Sequence, residues 1–140
     1  MDIPNDNNIE CKVLAALMNT SDAIHIIASV LQPSSFYTND NRMIYVTCID
    51  LYNASKIPDM SLVAAELKGK VDLITISNIA GEFCDEMVLP DYCRVLKELE
   101  MRRDMLAGIS KMQKAASLDN DIFDLTAEVS SYIDKVGAAP

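Results

Sequence analysis

Tryptophan is absent from this chain, histidine occurs once, and glycine and proline are scarce, at four and five residues in 140. Each scarcity excludes something. The lone histidine, His25, lies among Ile24, Ile26 and Ile27 in a presumed helix, where a partly exposed structural residue is a better reading than a catalytic or metal-binding one. Gly69, Gly81, Gly108 and Gly137 are too far apart to form a phosphate-cradling loop, and no G-x-x-x-x-G-K-[ST] run exists, so the chain is expected neither to bind nor to hydrolyse a nucleoside triphosphate. Cys11, Cys48, Cys84 and Cys93 show no C-x-x-C spacing and read as reduced thiols in a cytoplasmic protein, with no metal and no cofactor. The opening MDIPNDNNIE has neither the basic nor the apolar region of a signal peptide. No apolar run approaches the ~18 residues needed to cross a membrane.

What remains is a chain of about one domain's length, half of it apolar, in which Ala, Leu, Met, Asp and Glu outnumber strand-favouring aromatics. An all-α class follows. The net charge of −9 repels nucleic-acid phosphates and argues for a protein partner rather than strong DNA or RNA binding. The charge is also uneven, with six bases and three acids over 94–114 and five acids and one base over 119–135, so these neighbouring segments attract one another. The acids Glu82, Asp85, Glu86 and Asp91 resemble a carboxylate pair or cluster, but a solvated loop accounts for them, and a small carboxylate- or metal-dependent enzyme is the weakest reading.

Residues 1–7 read as an extended arm, and Asn7 or Asn8 can cap a first helix with Val13, Leu14, Leu17 and Met18 inward. A second helix, capped by Ser21 or Asp22, turns Ile24, Ile27, Ala28 and Leu31 inward before Pro33 stops it. The segment 31–41, rich in turn residues, holds the aromatic pair Phe36 and Tyr37, and a third helix follows over 39–54 with Met43, Ile44, Val46, Ile49, Leu51 and Tyr52 apolar. Pro58-Asp59 opens a fourth with Leu62, Val63 and Leu67 on one face, stopped at Gly69. Over 71–83 strand and helix periodicities compete, and a short helix is expected because no second strand exists to pair with it. Then come a long helix over 91–117, a turn over 117–120 and a helix over 121–136. The predicted organisation is a small globular helical bundle at 1–89, a helical hairpin at 90–136, and linker character at 137–140.

In order and spacing, the whole chain resembles the N-terminal domain of DnaB-type replicative DNA helicases. Pro4 and Glu10, followed by Val13-Leu14-Ala15-Ala16-Leu17, resemble that family's P-x(5)-E-x-x-V-L-G-x-L. Leu31-Gln32-Pro33, Phe36-Tyr37, Arg42 and Ile44-Tyr45 resemble its L-x-P-x-x-F-Y-x-x-x-H-[RQK]-x-I-[FY], with Asn41 in place of the histidine. Pro58-Asp59-Met60 through Glu66-Leu67 resembles P-[IV]-D-x-x-[TS]-x-x-x-E-L, and Tyr92-Cys93-Arg94-Val95 with Arg102-Arg103 resembles Y-x-R-I-V and a basic pair. On this reading Phe36 and Tyr37 form a plug that folds under the third helix and closes the core between Leu17, Ile27 and Ile44.

The resemblance implies a collar and oligomerisation domain, paired through its hairpins into a trimer of dimers, that is not catalytic on its own. It implies a docking surface for primase, a helicase loader as a further partner, and an ATP-dependent motor following after a linker. An unrelated helical adaptor, loader-like or primase C-terminal-like, is the alternative. In the hairpin, Leu96, Leu99, Arg103, Leu106 and Ile109 form a stripe facing Ile122, Leu125, Val129, Ile133 and Val136. A second set is left over: Val95, Met101, Met105, Met112, Phe123 and Tyr132. These, with Leu106, are the expected partner and oligomer interface, Leu106 and Met112 being the part that the resemblance assigns to primase.

Overall fold

The computed structural model describes residues 2–117 and 122–137, except the side chains of Ile122, Leu125 and Val136. The anticipated turn beyond Ser117 and the tail beyond Gly137 lie outside the described residues. Among the described residues there are seven helices and no strand. They are α1 (Asn7–Asn19), α2 (Ala23–Val30), α3 (Asn39–Asn53), α4 (Met60–Glu66), α5 (Leu73–Ala80), α6 (Leu89–Ser117) and α7 (Ile122–Gly137), with a 3₁₀ turn at Pro33–Ser35 between α2 and α3. The chain divides into two compact units, Asn5–Glu100 and a second made of Met1–Pro4 with Met101–Pro140.

Local chemistry places the helix starts. Asp6, one residue earlier than the expected Asn7 or Asn8, caps α1: its Oδ1 accepts from the Ile9 N–H at 3.1 Å. Asn7 is occupied elsewhere, its Oδ1 accepting from Asn41 Nδ2 at 2.9 Å. Thr38 and Asp59 cap α3 and α4 in the same way, through Asn41 N–H at 3.2 Å and Leu62 N–H at 2.9 Å. α3 ends in a Schellman motif, with Lys56 N–H donating to Leu51 O and Ser55 N–H to Tyr52 O, both at 2.9 Å. Ser55 takes the left-handed position there, at φ 62°. After α4 the same conformation falls on a glycine, Gly69 at φ 83°.

In the Asn5–Glu100 unit, α1 is central and packs against α2, α3 and α5. Its residues 13–18 are all buried, so it is covered on every side, and Ala15 and Ala16 let the neighbouring backbones approach. α4 packs against α3 and α5. Leu89, Cys93 and Leu96, at i, i+4 and i+7 on the first turns of α6, join the same core. Several faces differ from the periodicity reading. Ala28 is exposed, as are Val46, Tyr52, Leu62 and Leu73, while Tyr45 and Cys48 turn inward on α3. Short helices on a covered central helix need only two or three inward positions per turn pair, and here they are Ile24 and Ile27, Val63 with the flanking Leu67, and Ile76 and Ile79.

Candidate functional site

Two buried glutamates hold the turn between α2 and α3. Glu10, 1% exposed, accepts from the Tyr37 N–H at 3.1 and 3.2 Å and from Asn41 Nδ2 at 2.9 Å. Glu100, 3% exposed, accepts from Gln32 Nε2 at 2.6 Å, Ser34 Oγ at 2.6 Å and Ser35 Oγ at 2.7 Å, with Lys97 Nζ at 3.5 Å. Burial by itself raises the Glu100 pKa, but the three hydrogen bonds and the Lys97 charge outweigh it and hold the carboxyl below its ordinary 4.5. The turn thus has a carboxylate on each side. Within it Phe36 is buried against Tyr45, ring centroids 4.8 Å apart, and the Tyr45 hydroxyl donates to Leu31 O at 2.9 Å. Tyr37 is not part of the plug: its side chain is 39% exposed, and its buried contribution is its backbone N–H.

The sequence marked Glu10 only as a letter of the family pattern, without a role, and gave Glu100 no role at all. The signal was an acid at core spacing, since Glu10 precedes Val13, Leu14 and Leu17 by three, four and seven positions. Glu100 follows Leu89, Cys93 and Leu96 by eleven, seven and four.

In the second unit α6 and α7 run antiparallel, because contacts that rise along α6 fall along α7. Tyr132 Oη donates to Asp104 O at 2.7 Å, the Tyr132 ring lies over Gly108, and Lys111 Nζ pairs with Glu128 Oε1 at 3.2 Å. The attraction between the basic and acidic segments is realised in that ion pair, whose exposed lysine makes it a weak contributor. Burial and the Asp104 charge push the Tyr132 phenol above its ordinary value. Arg103 Nη1 donates to Pro4 O at 2.9 Å and ties the N-terminal arm to this unit.

Contacts between the two helices fall at Asp104, Gly108 and Lys111, and of the stripes read from periodicity Leu106 and Val129 are half-buried, whereas Ile109 and Ile133 are 44% and 60% exposed. A glycine lets the partner helix come close, and Tyr132 fills the gap. Tyr132 therefore makes contacts within the hairpin while staying partly exposed. Of the other anticipated interface residues, Val95 belongs to the Asn5–Glu100 unit and is partly exposed at 37%, and Met101, Leu106 and Met112 are half-buried. Met105 and Phe123 are exposed, at 45% and 80%. The side chains of Ile122, Leu125 and Val136 lie outside the described residues.

The remaining polar candidates form no reactive group. His25 is exposed and meets Tyr52 edge-on, with Nε2 3.4 Å from its hydroxyl. Glu82 pairs with Lys12 at 3.6 Å, Asp91 pairs with Arg94, and Asp85 Oδ1 accepts from the Met87 N–H at 2.9 Å. Among the described residues no cluster of His, Cys, Asp and Glu could hold a metal ion. Cys48 and Cys93 are buried, which pushes their thiols up to about 12 and about 11, and all four cysteines are free thiols. Among the described residues, no helix is long and apolar enough to cross a membrane.

A family model described as the DnaB-like helicase N terminal domain matches residues 2–98. No curated protein matches the chain. Among solved structures, the crystal structure of the N-terminal domain of DnaB helicase from Mycobacterium tuberculosis superposes with a TM-score of 0.84 at 20% identity, covering 93% of this chain and 99% of that one. At that identity the likeness speaks for the fold alone, and it extends over more of the chain than the family match does. The family match covers most of the chain and includes Glu10, the clamped turn and Asn41; the chain belongs to the DnaB-like helicase N-terminal domain family.

Proposed function

We propose that this chain is the collar of a replicative DNA helicase: a module, not catalytic on its own, that self-associates through its hairpin and offers primase a docking surface, with a helicase loader as a further partner. It acts in the cytoplasm, where replication proceeds, beside an ATP-dependent motor. The family membership supports this reading and leaves no ground for an unrelated helical adaptor. The observation that carries it is the apolar surface left on α6 and α7, where Met105, Ile109, Phe123 and Ile133 are each more than two-fifths exposed. Side chains of this size on one helical pair favour burial against another protein surface. Met105 and Ile109 stand one helical turn apart and form the centre of the self-association face, while Leu106 and Met112 serve primase.

Calorimetric titration with the C-terminal domain of the primase from the same genome tests the docking role. Binding that Leu106→Asp or Met112→Asp weakens at least about tenfold, or about 1.4 kcal/mol, supports it, provided the helical circular dichroism is unchanged. Heat changes no larger than those of dilution, or equal affinity in both variants, argue against it. The same preparation should show no ATP turnover and no submicromolar affinity for single-stranded DNA in ~150 mM salt.

A further inference from the structure

The Asn5–Glu100 unit carries an open groove of about 580 Å³ between the outer face of α3 and the end of α4. Its charge runs against that of the chain. Arg42, Lys56 and Lys70 line it with Asp50 and Glu66, so three of the chain's twelve bases meet only two of its twenty-one acids and the lining is net positive in a chain of net charge −9. Among the described residues none of these five side chains takes part in an ion pair. The floor is apolar. Met43 is half-buried, and Val46 is 38% exposed, on the side of α3 that points away from the core. Arg42, Val46 and Asp50 follow one another at i, i+4 and i+8, so charge and apolar surface alternate along a single line of α3.

An apolar floor with a polar, solvent-accessible rim is the usual make-up of a protein-binding groove. The excess of bases selects an acidic occupant, and α3, with its 15 residues and a rise of about 1.5 Å each, offers a straight edge long enough for several helical turns. Phosphates would also seek the three bases, but Asp50 and Glu66 in the same lining and the −9 charge around it oppose a nucleic acid. We propose that this groove docks an acidic amphipathic helix of a partner protein, its apolar ridge on Met43 and Val46 and its carboxylates on Arg42, Lys56 and Lys70. The site lies on the unit that does not contain the α6–α7 seam, and it does not depend on the collar reading.

Fluorescence anisotropy tests it with a labelled synthetic helix of about five turns, leucines along one ridge and glutamates on both flanks. Its charge-reversed analogue, with lysines for the glutamates, and a single-stranded oligonucleotide serve as the other two probes. The acidic helix is expected to saturate the protein in the tens-of-micromolar range, while neither of the others does. Val46→Asp and Lys56→Glu are expected to weaken it at least about tenfold, whereas Met105→Asp on the hairpin leaves it unchanged. Lys56 is exposed between α3 and α4, so its variant reads binding without disturbing the core. The proposal is overturned if the acidic helix fails to saturate below about 1 mM, if the charge-reversed helix or the oligonucleotide binds as well, or if both groove variants bind like the wild type.

Discussion

Phe36 shows how a single side chain can make a turn part of a core. The residue is 1% exposed and stacked on Tyr45, so removing its ring leaves a cavity as well as losing apolar burial. Phe36→Ala is expected to cost roughly 3–5 kcal/mol in urea unfolding, and a loss below about 1 kcal/mol would contradict this placement. The turn was legible from its proline and serines, and the burial of Phe36 in it from the family resemblance. The half-exposed Tyr37 was not, because a one-dimensional pattern does not distinguish a ring that is buried from a backbone N–H that is bound. Glu100 was hidden for a related reason: an acid in a charged helix reads as surface until the serines that satisfy it are seen. Its folded pKa lies below its ordinary 4.5, so its contribution is fully present above that value and is lost as the pH falls through the folded value. Unfolding free energies between neutral pH and about pH 3 should therefore fall more steeply for the wild type than for Glu100→Gln. Parallel acid limbs would mean that the carboxylate is not held by the turn.

At the scale of elements, the sequence is informative wherever a helix has one buried face and a clear stop. The helix over 71–83 was ambiguous on periodicity, and the absence of a pairing strand decided it correctly; Leu73–Ala80 is helical, with Ile76 and Ile79 as its buried pair. The close approach within the hairpin was not legible, since counting stripes pairs apolar residues with one another and says nothing of a glycine that admits the Tyr132 ring. Helix propensity alone says that Gly108→Ala should gain about 1 kcal/mol. A Cβ there would run into the Tyr132 ring, and overpacking of this kind costs roughly 1–3 kcal/mol. The net expectation is a loosened hairpin, read as faster hydrogen exchange at Asp104–Lys111 amides, and rescue when Tyr132→Ala is added. Slower exchange in the single variant would place the two helices farther apart than the Tyr132 to Asp104 hydrogen bond allows.

For the molecule as a whole, composition limited the choices early. Scarce glycine and proline and a composition poor in strand-favouring aromatics pointed to an all-helical module, and the seven helices among the described residues and the family match over 2–98 agree with that class. The family resemblance was legible because its letters are structural: Glu10 anchors the turn after α2, Leu31 and Phe36 are buried, and Asn41, the departure from the pattern, is a buried donor to Glu10. Which hairpin residues meet another protein is a different matter, because both faces of α6 carry large apolar side chains and nothing in their spacing ranks them. The exposure of Met105 and Ile109 is what supports proposing them, and self-association through that face is the central claim. Sedimentation equilibrium tests it most directly. The predicted result is a mass that rises with concentration toward that of a dimer, and a shift of that rise to higher concentration in Met105→Asp with helicity retained. A wild-type protein that stays strictly monomeric up to about 100 μM, where only some 5–6 kcal/mol of association energy is being probed, would contradict it.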